Sequence, residues 1–207
     1  MHRDRWVALL VCLLVVVGLS ACTRASQPPG TDAVPGAIAP AGGSPQDPVE
    51  RGRLLVVGGL CHDCHTPKKI GPAGPEPDLD LALSGHPESA GVLQPFKGDG
   101  GPYSTHTNDH LTAWSGAWGV SFAANLTPDN NTGIGIWTEQ MFVDALKTGK
   151  HMGTARPILP PMRWNWLSQL PDDDLKAIFA YLKSIKPIAN RVPVPLDASG
   201  KPIEEPQ

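Results

Sequence analysis

The sequence predicts an all-α fold: a small helical domain around one core, with a long Pro/Gly-rich insertion. Apolar residues recur at helical spacing in two segments, each bounded by residues that start and stop helices. Alternating runs of strand length are hard to find. With 23 prolines and 22 glycines among 207 residues, the helices must be short and joined by well-punctuated loops.

The first helix is expected over residues 49–58, where Gly58-Gly59 ends it or permits close packing. The second starts at Thr138, whose hydroxyl can accept an orphan backbone N–H, and runs over 139–147. Phe142, Ala145 and Leu146 share one face of it, and Gly149 suits the left-handed residue that follows. The third is the clearest. Pro171 sits in its first turn, and Asp172, Asp173 and Asp174 load the positive end of its dipole. Leu175, Ile178, Phe179, Leu182 and Ile185 then follow at i, i+3, i+4, i+7 spacing. Lys183 and Lys186 lie in the last turn, and Pro187 stops it. Residues 72–120 are the least readable. They are too long for a plain loop, so short helices or hairpins are expected there.

The termini frame this domain. Arg3 and Arg5 precede a nearly pure apolar run, Val7 to Leu19, which is short for a membrane span. The run ends in Leu19-Ser20-Ala21-Cys22, which resembles the bacterial lipoprotein cleavage box. By that resemblance residues 1–21 are a signal peptide and Cys22 is the lipid-modified first residue of the mature chain. An ordinary secretory peptide and an uncleaved anchor are the alternatives. All three place the domain outside the cytoplasm. Thr23, in place of an aspartate, favours the outer membrane by resemblance to bacterial sorting rules. Residues 22–48, rich in Pro, Gly, Ala and Ser, read as a flexible tether. The domain is expected over 49–190, with an irregular tail over 191–207 that holds Pro193, Pro195 and Pro202. The net charge of −3 gives no case for nucleic-acid binding.

The motif that carries chemistry is Cys61-His62-Asp63-Cys64-His65. C-x-x-C-H is the attachment pattern of a c-type haem. Two thiols one helical turn apart add across the two haem vinyl groups, and the adjacent histidine ligates the iron. One such motif predicts one covalent haem. Thioredoxin-like chemistry accounts for C-x-x-C alone, but it wants a βαβ context and leaves His65 idle. The carbonyl of Gly71, made rigid by Pro72, is a candidate acceptor for the His65 Nδ1–H.

A simple electron carrier needs a sixth iron ligand. The candidates are Met141, Met152, Met162, His86, His106, His110 and His151. Met141 sits mid-helix and reads as core packing. Met152 follows the second helix in a loop. Met162 follows Pro160 and Pro161, which restrict its backbone and leave little entropy to lose.

These elements resemble a known family. Cys61-His62-Asp63-Cys64-His65-Thr66-Pro67, Asn125-Leu126-Thr127-Pro128-Asp129, Thr132-Gly133-Ile134-Gly135, Trp137-Thr138, Leu159-Pro160-Pro161-Met162 and the closing helix together resemble a class I c-type cytochrome domain. The nearest resemblance is to cytochrome subunits of bacterial periplasmic and membrane-bound dehydrogenases. It implies a haem c fold, His65 and Met162 as axial ligands, and redox protein partners on the dehydrogenase or terminal-oxidase side. It implies an electron carrier, not an enzyme, on the periplasmic side of a membrane. The Asn125 to Pro128 segment is read as a haem wall that bonds a propionate, or as a plain turn. Trp137, Trp164 and Trp166 are read as haem-packing or ordinary core aromatics. Lys68, Lys69, Lys147, Lys150, Arg156 and Arg163 form either a basic rim at the haem edge or scattered solvated charge.

Two further readings compete. A haem enzyme or gas sensor requires a labile sixth site. A zinc module would pair Cys61 and Cys64 with His106 and His110, across a gap far too long for a finger. The lipid anchor is testable alone: Cys22→Ala should block processing or release the protein from membrane fractions, and unchanged processing with membrane retention sinks that reading.

Overall fold

A computed structural model describes residues 47–95 and 104–204. The expected signal peptide, Cys22 and nearly all of the tether lie outside the described residues. Helix α1, Pro48–Gly58, is capped by Asp47, whose carboxylate accepts from the Val49 N–H. One-turn helix α2, Cys61–His65, follows at once. Helix α3 is Glu139–Thr148, short helix α4 is Trp164–Leu167, and α5 is Asp172–Ser184. The Thr138 cap forms as expected, accepting from the Met141 N–H. No helix among the described residues is long and apolar enough to cross a membrane.

The all-α expectation is overturned by two small antiparallel sheets. Strands β1, Lys68–Gly71, and β2, Gly74–Pro77, form a hairpin. Strands β3, His106–Thr107, β4, Ala113–Gly116, and β5, Gly119–Phe122, form a second sheet in that order. Two further short turns of helix, Leu79–Leu81 and Glu88–Ala90, complete the insertion. The strands escaped the sequence pattern for a physical reason. β2 is Gly-Pro-Glu-Pro, and its prolines are tolerated because the ladder has only two strands. β4 does alternate in burial, but its inward residues are Ala113 and Ser115, too small and polar to register as apolar period.

The interior of the insertion is largely polar. His86, Thr112, Ser84 and Ser115 are all buried. His86 bonds through Nδ1 to Thr112 Oγ1 at 2.9 Å and through Nε2 to the Gly91 carbonyl at 2.7 Å. The 191–204 segment contains no helix, yet it is tied down: Val120 and Leu196 exchange backbone bonds of 2.8 and 2.9 Å. Asn190 Nδ2 donates to the carbonyls of Ser84 and His86.

The apolar core lies between α1, α3 and α5. Val56, Phe142, Leu146, Leu175, Ile178, Phe179 and Leu182 form it with Leu83 and Ile134. Each fully buried leucine contributes about 2 kcal/mol. Helices α1 and α5 meet closely at Gly52, where a Cβ would lie 1.9 Å from the Ala177 carbonyl oxygen. Arg51 then clasps Asp174 through two bonds of 2.9 and 3.0 Å and holds that carboxyl below its usual range. Glu50 and Arg53, both buried, pair with each other along α1.

Gly52→Ala should destabilise the protein by about 3 kcal/mol, because backbone blocks the new methyl. Gly58→Ala, with nothing within 4 Å of its Cβ position, should stay within about 0.5 kcal/mol. Equal urea midpoints for the two variants contradict this crossing. Burial also holds His86 below its ordinary value of 6.5, with His110 nearby adding to the effect. The unfolded chain therefore takes up a proton that the folded protein resists, and stability present above pH 6.5 is lost as pH falls below it. His86→Gln should flatten the decline in unfolding free energy as pH falls below the ordinary histidine pKa. An equally steep decline in the variant contradicts it.

Candidate functional site

The C-x-x-C-H motif is helix α2. Leu60, left-handed at φ 57°, turns the chain out of α1 and into it. One helical turn brings Cys61 and Cys64 to the same side. Neither is in a disulfide, and Cys61 packs against the core. Burial pushes the Cys61 thiol up to about 11 and raises Cys64 as well.

His65 is buried, and its Nδ1 lies 2.8 Å from the Ala124 carbonyl oxygen. A carbonyl only accepts, so Nδ1 carries the proton and Nε2 presents a lone pair. Burial also lowers the His65 pKa and keeps the ring neutral. The expected acceptor, Gly71, does not take this role. It pairs with Gly74 at the end of the β1–β2 hairpin, and Ala124 stands in its place.

A one-turn helix leaves its carbonyls without helical partners, and here several are met from outside. Lys68 Nζ donates to the Asp63 carbonyl at 2.9 Å and the Thr66 carbonyl at 2.7 Å. The Thr66 N–H caps His62, and the Gly85 N–H reaches the His65 carbonyl at 2.8 Å. Thr66 Oγ1 also bonds His62 Nδ1 and accepts the Leu83 N–H at 3.0 Å. Sequence reasoning missed all of these supports. Thr66 and Lys68 had a signal in their position just after the motif; Ala124, acting through its backbone, had none.

The Asn125 to Pro128 segment is a strut. Leu126 packs on the core. Asn125 and Thr127 are buried, bond each other at 2.7 Å, and hold the backbone of Ile188. This fixes Ala124 between α2 and the chain that follows α5.

On the opposite side, α3 ends at Gly149, left-handed at φ 69°, where a Cβ would meet the Trp164 ring at 2.4 Å. The chain then folds back on itself, with the Ile158 N–H reaching the Gly149 carbonyl at 2.8 Å. Met162 follows and packs against the core cluster that Cys61 also touches. Met152, left-handed at φ 53°, and Met141 are not among the described side chains that do so. Trp137 and Trp164 pack on that cluster too. Trp166 is 66% exposed and is not among the side chains packed on that cluster.

Both nitrogens of His86 are bonded. His110 Nδ1 accepts the Lys68 N–H at 3.2 Å. The His151 ring meets Trp137 edge-on at 5.0 Å, and His106 lies on exposed β3. The described residues contain no group of three or more His, Cys, Asp or Glu able to hold a metal ion. Of the basic residues, Lys68 is committed to α2 carbonyls, and Lys147 to those of Ser168 and Leu170.

No protein-family model matches the chain. Curated proteins do. The chain is 27% identical over 145 residues, 70% of its length, to a nicotinate dehydrogenase subunit of Pseudomonas putida, and spans 9% of that protein. It is 33% identical over 143 residues, 68% of its length, to the gluconate 2-dehydrogenase cytochrome c subunit of Pantoea cypripedii, and spans 27% of it. The cytochrome c subunit of the quinone alcohol dehydrogenase of Gluconobacter oxydans matches at 35% over 78 residues, 36% of this chain and 16% of that protein. The chain therefore spans about a quarter or less of the length of these relatives. Its one-turn C-x-x-C-H helix thus sits in a chain homologous to proteins named as cytochrome c subunits of bacterial dehydrogenases.

Proposed function

We propose that this protein is an electron carrier with one c-type haem joined covalently to Cys61 and Cys64 and ligated by His65 and Met162. The observation that carries the reading is a fixed imidazole next to a C-x-x-C pair whose Cys61 packs against the same apolar cluster as the Met162 thioether. Cys61 and Met162 pack against the same apolar cluster, and His65 is held in the tautomer that offers Nε2. The donor set fits the group: two cysteine sulfurs one helical turn apart, one imidazole with Nε2 unprotonated and one soft thioether. When bound, the haem supplies the one-electron iron couple.

The chain's own residues then have separable tasks. Cys61 and Cys64 fix the ring in position. The Ala124 carbonyl, by holding the His65 Nδ1 proton, strengthens Nε2 as a donor to iron. Met162 favours the ferrous state and raises the reduction potential. With His65 and Met162 both holding the group, no position would be left for a substrate, and the chemistry supplied would be one-electron transfer alone. Partners are redox proteins, on the dehydrogenase or the terminal-oxidase side; the relatives' names support the dehydrogenase side. The protein works on the periplasmic side of a bacterial membrane, held through lipid on Cys22 and the tether that follows.

Met162→Ala should empty the sixth position. The weak red absorption band of methionine-ligated ferric haem should vanish, the potential should fall and carbon monoxide should bind readily. Met152→Ala should change none of these. Loss of the band in Met152→Ala, with Met162→Ala unaffected, reverses the assignment. If neither substitution matters, a histidine is the ligand, and an enzyme or gas sensor becomes the better reading.

A further inference from the structure

The β4–β5 hairpin belongs to the part of the chain that neither the motif nor the core explains. Its strand β5 is held on both edges. β4 pairs with it from Ala113↔Phe122 to Gly116↔Gly119, and Leu196 bonds Val120 from the other side. Val120 is fully buried. From this anchored strand the buried Ser121 hydroxyl donates to the Pro160 carbonyl at 2.5 Å.

That carbonyl lies two residues before Met162. Pro160 and Pro161 have no N–H to donate. The Met162 N–H reaches only Leu159, at 3.3 Å. Among the described residues, no other hydrogen bond ties residues 159–162 to a different element. Packing of Met162 sets where the thioether rests, but the backbone that carries it is tied across to the sheet through Ser121.

We propose that Ser121 is a positioning residue for the distal ligand, and that the β4–β5 hairpin is a clasp on the methionine loop. This rests on Met162 being the sixth ligand. An external base that displaces the thioether must first let the loop swing away, and breaking the Ser121–Pro160 bond is part of that opening. The clasp therefore sets how readily the sixth position is surrendered, and so separates a closed carrier from a ligand-binding haem protein.

The test compares Ser121→Thr with Ser121→Val in the full haem-loaded protein. The two side chains have nearly the same shape, and only threonine keeps the hydroxyl. Imidazole is mixed with the oxidised protein, and loss of the red methionine band is followed in time. Ser121→Val should lose the band about fivefold faster than Ser121→Thr, the cost of one lost hydrogen bond. Ser121→Thr should stay close to the unsubstituted protein. Ser121→Ala, which adds no bulk, should match Ser121→Val and serves in its place if valine prevents folding. Equal displacement rates with and without the hydroxyl overturn the clasp while leaving Met162 as ligand. Absence of the red band from the unsubstituted protein overturns the methionine assignment and the clasp with it.

Discussion

The hydrogen bond from His65 Nδ1 to the Ala124 carbonyl is the constraint around which the rest of the structure is arranged. A five-residue helix has almost no stability of its own. It cannot by itself hold an imidazole at one angle and in one tautomer. The fold solves this by surrounding the turn with groups fixed elsewhere. Thr66 links it to Leu83, Gly85 meets its last carbonyl, and Lys68 spans its free end. Ala124 is fixed in turn by Asn125 and Thr127, which grip the chain beyond α5.

The molecule therefore has two kinds of interior. The core between α1, α3 and α5 is apolar and close-packed, with α1 meeting α5 at a glycine and an arginine–aspartate clasp. The layer under the motif and through the insertion is polar, built from His86, Thr112, Asn125, Thr127 and Asn190. Buried polar groups stabilise little when satisfied and cost a good deal when not. Their use here is geometric. They hold backbone carbonyls and amides at set places beside a site whose chemistry depends on fractions of an ångström. The apolar core provides stability, and the polar layer provides aim.

This division explains what was legible in the sequence. The helices next to the core were, because burial of Leu175, Ile178, Phe179 and Leu182 leaves a 3.6-residue period, and Thr138 and Gly149 mark the ends of α3. The motif was legible as a spacing of residue types, and the structure sets it in one helical turn. The sheets were not. Their inward positions are small or polar, and their strands are two to four residues long. Nor was the acceptor for His65. A backbone carbonyl has no residue type to read, and proximity in sequence pointed to Gly71 when the fold supplied Ala124 from 59 residues away. Trp166, 66% exposed, does not fit the core-aromatic alternative that the sequence left open.

All of this arrangement has its purpose only if the two thiols carry a haem. The direct measurement is the mass and haem content of the full chain made in cells able to attach c-type haem. The predicted result is one haem per chain that survives denaturation and acid–organic extraction, with the peptide bearing Cys61 and Cys64 heavier by that one group. Haem that washes out, more than one haem per chain, or Cys61 and Cys64 recovered as unmodified thiols from folded protein would contradict it.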